Sequence, residues 1–479
     1  MDKLFKLTEN STNIRTEILA GITTFFAMSY ILFVNPEMLG QTGMPVQGVF
    51  LATIIGTVAG TLMMAFYANI PYAQAPGMGL NAFFTYTVVF ALGYTWQEAL
   101  AMVFVCGVIS IIVTLTKIRK VIIHAIPDSL QYAISGGIGI FLAYIGIKKA
   151  GLLKFSIDPG TYIVTGNGAD KGQAAITANG MATPGLVDFN NIAVLVALFG
   201  IVITIALVLK GVRGGIVLSI AATTIVAILA GVVDLSSINF ASNNISVAVK
   251  DLGKIFGAAL GSEGLGSIFS KVERIPEVLM AILAFSLTDI FDNIGTLIST
   301  GRKAGIFNIV DEEAAKDSSG LQTKMDKALF SDMVGTTVGA IAGTSNVTTY
   351  VESAAGIEAG GRTGLTALVV AILFAVSSFF SPLLAIVPTV AVAPILIIVG
   401  IMMLSSMKNI KWDDLSEAVP AFFTSIFMGF TYSITHGIAA GFIIYTLVKF
   451  IKGESKEVHP MIWVLDVLFI LNFVSLALA

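Results

Sequence analysis

Two aspartates, Asp289 and Asp292, stand inside the apolar stretch AILAFSLTDIFDNIGTLIST (281–300). Their i, i+3 spacing puts both carboxylates on one face of a helix. A charge at the centre of a bilayer costs roughly 2.5–3.5 kcal/mol even on the lenient insertion scale. Two acids on one face of such a helix therefore predict a water-filled or ligand-filled cavity. The chemistry on offer is that of transport. A carboxylate accepts hydrogen bonds from the N–H groups of a passing solute. Because burial disfavours the charged form, it can also take up a proton.

Two other stretches must position partners for these acids. Pro71, Pro76, Gly77 and Gly79 interrupt IPYAQAPGMGLNAFF (70–84), since proline removes a donor and glycine favours non-helical geometry. Helix is predicted to resume after Asn81, acting as N-cap. The stretch AGTSNVTTYVESAAGIEAGG (342–361) is β-branched and polar, extended in character, with helix only from about Tyr350 and Glu352 just inside it. Broken backbone at membrane depth is tolerated only where it lines a cavity or is buried in protein. The two helix starts are predicted to meet near the midplane, offering free N–H groups and positive dipole ends. Asn81, Asp289, Asp292 and Glu352 then form a set of three acids and one amide. No lysine or arginine lies in the middle of a span. A neutral or cationic solute with N–H donors suits such a set better than an anion does.

The composition agrees with a membrane setting. Of 479 residues, 56% are hydrophobic and 12% charged, where soluble domains carry about 25% charge. The chain reads as an all-α polytopic membrane protein. A net charge of −3 gives no footing for nucleic acid. The single Cys106 excludes an internal disulfide and a cysteine metal cluster, and the three histidines, His124, His436 and His459, are scattered. No cofactor or metal is predicted. No Ser/His/Asp set or phosphate-binding loop appears, so an enzyme is not expected. Residues 1–17 are polar, and the first apolar run reads as a retained helix rather than a cleaved signal.

Apolar runs near the ~20-residue length of a span fall at 18–35, 48–68, 78–93, 97–116, 129–147, 191–209 and 214–233, then at 277–299, 328–343, 346–358, 364–383, 387–406, 416–431 and 433–451. A polar, glycine-rich loop (149–189) follows the fifth run, an amphipathic stretch (234–276) separates the two series, and 461–479 is a further apolar segment. Lys117, Arg119 and Lys120, Lys210 and Arg213, Arg302 and Lys303, Arg362, Lys408 and Lys411, and Lys449 and Lys452 all fall on one side if the N-terminus, with Lys3, Lys6 and Arg15, is cytoplasmic. Lys148, Lys149, Lys154 and Lys171 sit on the other side, at or within a long loop that weighs less in that rule. Seven spans per half gives the halves opposite orientation, and RGGIVLSIAATTIV (213–226) echoes THGIAAGFIIYTLV (435–448). Inverted repeats place the substrate at mid-membrane, between broken helices. The interrupted runs are third in each half.

The segments TTFFAMSYILFVNP (23–36), APGMGLNAFF (75–84), TDIFDNIGTL (288–297) and GTSNVTTYVESAAGIEAGGRTG (343–364) resemble the guanine/hypoxanthine permeases, the AzgA-like branch of the nucleobase–cation symporter-2 family, which also holds xanthine and uracil permeases. The resemblance covers nearly the whole chain. It implies a uracil-permease-like fold: fourteen spans as a seven-plus-seven inverted repeat, with short strands in the broken spans three and ten. A core domain (18–120 and 277–384) would carry the substrate against a gate domain (121–233 and 385–452), with 234–276 external and 453–479 a C-terminal segment. The implied activity is proton-coupled uptake of hypoxanthine, guanine and adenine across the plasma membrane, and the resemblance is compatible with a homodimer.

By motif, Asn81, Asp289, Asp292 and Glu352 match positions used for binding or transport, with the acids as proton carriers. Which aspartate touches the base stays open, and carboxylate and carbonyl oxygens suit sodium as well as a proton. Uracil relatives carry a histidine where this chain has Thr296, so no histidine relay is expected. Phe25, Phe26, Tyr30, Phe83 and Phe84 are candidates to stack on a purine, against simple packing. Thr348 and Ser345 are candidate hydroxyl or backbone contacts. The bland alternatives are capping for Asn81 and Glu352, and a structural tie for the two aspartates. The rival functions are an anion or bicarbonate carrier, or a xanthine/uracil transporter, on the same architecture, and a channel without coupling.

Overall fold

The computed structural model describes residues 1–116, 125–157, 162–165, 175–178, 182–212, 214–235, 244–301, 305–307, 321 and 323–478. Lys117, Arg119, Lys120, His124, Lys171, Arg213, Arg302 and Lys303, used above for topology and composition, lie outside the described residues. Among those described, eight helices are long and apolar enough to cross a membrane: Ile14–Gly40, Val46–Ala68, Trp96–Leu115, Asp128–Lys149, Ile192–Leu209, Gly364–Ala385, Thr389–Asn409 and Ile434–Ile451. Met78–Ala91, Gly215–Leu229 and Leu415–Phe430 are shorter apolar helices. Ile275–Gly301 carries Asp289 and Asp292, and Lys324–Ala342 packs beside it. Helix starts are marked by side chains that meet orphan N–H groups. Asn13 accepts from Thr16, and Thr95 with Glu98, like Thr323 with Asp326, forms a reciprocal capping box.

One region outside the interrupted runs differs from an all-helical expectation. The 149–189 stretch, read as a loop, holds two antiparallel hairpins, Leu153–Ile157 with Ala182–Leu186 and Tyr162–Thr165 with Ala175–Ala178. Their β-branched and aromatic content favours pleated backbone over coil. The amphipathic stretch contributes the Ile245–Ile255 helix, N-capped by Asn244 and packed along Val46–Met63.

The feature that positions the site is a ribbon of two buried strands. Gln74–Pro76 pairs antiparallel with Val347–Thr349, with Gln74 opposite Thr349, Ala75 opposite Thr348 and Pro76 opposite Val347. Lys324–Ala342 ends at Gly343, whose φ of 103° suits glycine, so the chain can turn into its strand. Gly77 closes the other end: a Cβ there would meet the Thr348 hydroxyl oxygen at 2.8 Å. The antiparallel register sends the following helices, Met78–Ala82 and Ser353–Glu358, off opposite ends of the ribbon.

Candidate functional site

Extended backbone buried among helices must find hydrogen-bond partners outside its own segment. Here side chains provide them. Thr349 N donates to Asn293 Oδ1 (2.8 Å). Val347 N donates to Thr336 Oγ1 (3.1 Å), which in turn donates to Val347 O (3.0 Å). Gln74 N donates to Thr61 Oγ1 (3.0 Å), and that hydroxyl donates to Gln74 O (3.1 Å). Helices Val46–Met63, Ile275–Gly301 and Lys324–Ala342 thus hold the ribbon through polar contacts.

The acids divide about this ribbon. Asp289 is fully buried and accepts from Asn293 Nδ2 (3.0 Å) and Asn346 Nδ2 (3.1 Å), with the Thr336 hydroxyl at 3.4 Å as an alternative donor to its bond with Val347 O. Asp332, which the sequence reading passed over, is equally buried. It accepts from Asn293 Nδ2 (2.6 Å), Gln74 Nε2 (3.2 Å) and Thr349 Oγ1 (3.2 Å). Glu352 is partly exposed and accepts from the Tyr30 hydroxyl (2.7 Å). The Asp292 carboxylate, also partly exposed, makes no hydrogen bond among the described residues and lies within electrostatic reach of Glu352 and Tyr350. The Tyr30 and Tyr350 rings lie 6.4 Å apart, with Tyr350 donating to Pro76 O (2.7 Å). Beside them Val351 is 40% exposed. Asp292 and Glu352 are therefore the partly exposed acids, backed by the buried Tyr30 and Tyr350, while Asp289 and Asp332 lie in the buried network. Among the described residues, none of the four acids has an ion pair.

Several expectations change. Asn81 is not an N-cap: the helix begins at Met78 with extended Gly77 before it. Asn81 Oδ1 instead accepts from the Ser345 hydroxyl, and its Nδ2 has no partner among the described residues. Glu352 lies at the N-cap position, not inside the helix, and caps nothing; that helix spans only six residues. The two helix starts do not face each other across a gap, because the ribbon lies between them. Thr348 is buried at the centre of the ribbon. Among the aromatics, Phe25 packs edge-on against Phe374 (5.2 Å) and Phe83 against Phe285 (4.6 Å). Phe84 is buried, and Phe26 is 48% exposed. Tyr30 alone of the five reaches the acids. A cavity of about 240 Å³, lined by Phe33, Glu37, Gln41, Leu384 and Val387, lies at the far end of Ile31–Gly40 rather than at the acids.

Asp332, Asn293 and Gln74 were the residues missed. Asp332 lay within the run 328–343 and carried the same signal as Asp289, an acid in an apolar helix. Asn293 follows Asp289 by one helical turn, and nothing local marks Gln74.

Comparison with known proteins places this arrangement in context. The profile of the xanthine/uracil Permease family matches residues 15–440. A guanine/hypoxanthine permease of Bacillus subtilis is 39% identical over 474 residues, 98% of this chain and 99% of that protein. An adenine permease of Escherichia coli is 36% identical over 474 residues, 99% of this chain and 96% of that protein. Among solved structures, the transmembrane domain of a cyanobacterial bicarbonate transporter aligns with a TM-score of 0.58 at 14% identity, covering 90% of this chain and 97% of that one. The murine anion transporter Slc26a9 in its inward-facing state aligns with a TM-score of 0.58 at 11% identity, covering 92% and 69%. At those identities the likeness is one of fold.

Proposed function

We propose that this chain, which belongs to the xanthine/uracil Permease family, is a multi-pass transporter that takes up purine nucleobases, hypoxanthine and guanine with adenine as a further substrate, in symport with protons. In this reading it lies in the plasma membrane with a cytoplasmic N-terminus. Its fourteen segments form two inverted halves, and a core (18–120 and 277–384) moves against a gate (121–233 and 385–452) to expose the site alternately. The observation that carries the reading is the pair of partly exposed acids, Asp292 and Glu352, set beside Tyr30 and Tyr350 at a helix–strand junction with no cation among the described residues. An anion has nothing to pair with there, whereas the ring N–H groups of a purine find two carboxylate acceptors. The two buried tyrosines form an aromatic wall behind the acids.

The chemistry follows from these residues. Glu352 keeps the Tyr30 hydroxyl on Oε1, leaving Oε2 for the base. Asp292, whose carboxylate has no hydrogen-bond partner among the described residues, takes a second N–H. The purine N–H groups offset the two carboxylates, and a proton taken up together with the base lowers the charge that the loaded core carries through its apolar surroundings.

The test is uptake of radiolabelled hypoxanthine into proteoliposomes under an imposed proton gradient, with guanine, adenine, xanthine, uracil and bicarbonate as competitors. Gradient-driven accumulation, competed by guanine, is expected. Flux of bicarbonate with no nucleobase uptake would contradict the reading.

A further inference from the structure

We infer that Asp289 and Asp332 share a single proton behind the strand ribbon, and that this pair, rather than the acids facing the base, carries the proton that drives uptake. The inference rests on the nucleobase-transport reading above and adds Asp332 to it.

The geometry is that of two buried carboxyl groups joined by one amide nitrogen. Asn293 Nδ2 has two hydrogens but three close acceptors: Asp289 O (2.8 Å), Asp289 Oδ1 (3.0 Å) and Asp332 Oδ2 (2.6 Å). Both acids are 0% exposed. The titratable groups around them supply no positive charge. Ile275–Gly301 adds Asp292, the chain beyond the ribbon adds Tyr350 and Glu352, and Trp96–Leu115 adds Cys106, which accepts from Ser286 and Asn346. In Met64–Ala68 the titratable group is Tyr67, and Lys327, on the same helix as Asp332, stands over the Tyr67 ring at 5.9 Å. Like charges this close do not both ionise in a site shielded from water, and such a pair titrates as a unit.

A second observation is independent of the acids themselves. Gln74 and Asn346 each aim their amide nitrogen at one member of the pair, and each leaves its amide oxygen buried with no donor among the described residues. Buried amide oxygens are normally satisfied. A proton on Asp332 or Asp289 supplies the missing donor once the facing amide turns by half a rotation.

The pair is also wired to the base-facing acids. Thr349 binds Asn293 through its N–H and Asp332 through its hydroxyl, and Asn346 binds Asp289. The same strand runs directly into Tyr350 and Glu352. Adding or removing the proton alters how the strand is held, and so where Glu352 stands when the base arrives. One proton enters the pair from the outer side and leaves to the inner side with each base. Such coupling is reciprocal: proton occupancy and base affinity favour one another.

The experiment compares wild type with Asp332→Asn in proteoliposomes, using radiolabelled hypoxanthine. Expected for Asp332→Asn is gradient-free exchange slowed by no more than about fivefold, with gradient-driven accumulation abolished and the pH dependence of uptake flattened. Wild-type accumulation in the variant would overturn the inference. So would parallel loss of exchange and accumulation in a variant that stays monodisperse, since that marks a purely structural role. Should the variant not fold, infrared spectroscopy of the wild type decides. A carbonyl band of a protonated carboxyl group at neutral pH, altered by hypoxanthine, is expected, and its absence overturns the inference. Failure of the transport reading shows separately, as wild-type protein that neither binds nor exchanges hypoxanthine. The band in the ligand-free protein still tests the shared proton in that case.

Discussion

One helix, Ile31–Gly40, has an acid contact at each end, and the two are held in opposite ways. At its start, Tyr30 gives Glu352 a neutral hydroxyl donor. Toward its end, Glu37 takes both oxygens to Lys149 Nζ (2.7 and 2.5 Å), with further donors from Gln41 (3.1 Å) and Thr389 (3.4 Å). That pair is largely withdrawn from water, with side-chain exposures of 12% for Lys149 and 21% for Glu37. Tyr86 donates to Gln41, and the Lys149 ammonium stands 5.9 Å from its ring. The outer acid is thus paired with a cation, whereas the inner acid is served by a hydroxyl alone. Under the proposed function Glu37 belongs to the core and Lys149 to the gate, so this ion pair is assigned to the outer contact between them, and the unclamped acids are assigned to binding and coupling.

The contrast breaks most visibly at the inner acids. Glu352→Gln and Asp292→Asn each remove a charged acceptor, an interaction worth about 1.5–3 kcal/mol. Hypoxanthine uptake should fall by about tenfold or more in each. Wild-type rates in both would remove these acids from the site. Tyr30→Phe is a smaller cut, one hydrogen bond of about 1 kcal/mol. It should raise the half-saturating hypoxanthine concentration by about fivefold while leaving the maximal rate nearly unchanged. A loss of maximal rate alone would assign Tyr30 to the motion instead.

At the outer contact, Lys149→Met should lower uptake by about tenfold without altering its proton dependence, because it leaves Glu37 without its cation in a pair largely withdrawn from water. A flattened pH profile in that variant would show that the clamped pair takes part in coupling. The smallest effect is expected at Phe26→Leu. That ring is half exposed, and kinetics within about twofold of wild type should follow.

The sequence made the acids legible because charge in an apolar helix is costly wherever it occurs, and the broken runs legible because proline, glycine and β-branched residues disfavour helix locally. The same logic applied to Asp332, an acid in an apolar run, but no second acid at helical spacing accompanied it to mark a shared face. The role of Gln74 came from strand pairing across more than 270 positions, and that of Asn293 from contacts to Asp332 and Thr349 on later segments; no local pattern encodes either. Asn81 misled for a related reason. An asparagine after a glycine-rich break has the chemistry of an N-cap, yet extended Gly77 starts the helix earlier and leaves Asn81 to Ser345. The hairpins at 153–186 were hidden by glycine and polar residues between short β-branched runs.

The most direct test of the central claim, that Asp292 and Glu352 receive the base, is an experimental structure of the protein with hypoxanthine bound. The purine is expected at Asp292 and Glu352, in front of Tyr30 and Tyr350, with ring N–H groups within hydrogen-bonding distance of both carboxylates and Asp289 and Asp332 out of contact behind the strands. A base seated instead in the cavity beside Phe33 and Glu37, or bound with neither acid within reach, would contradict it.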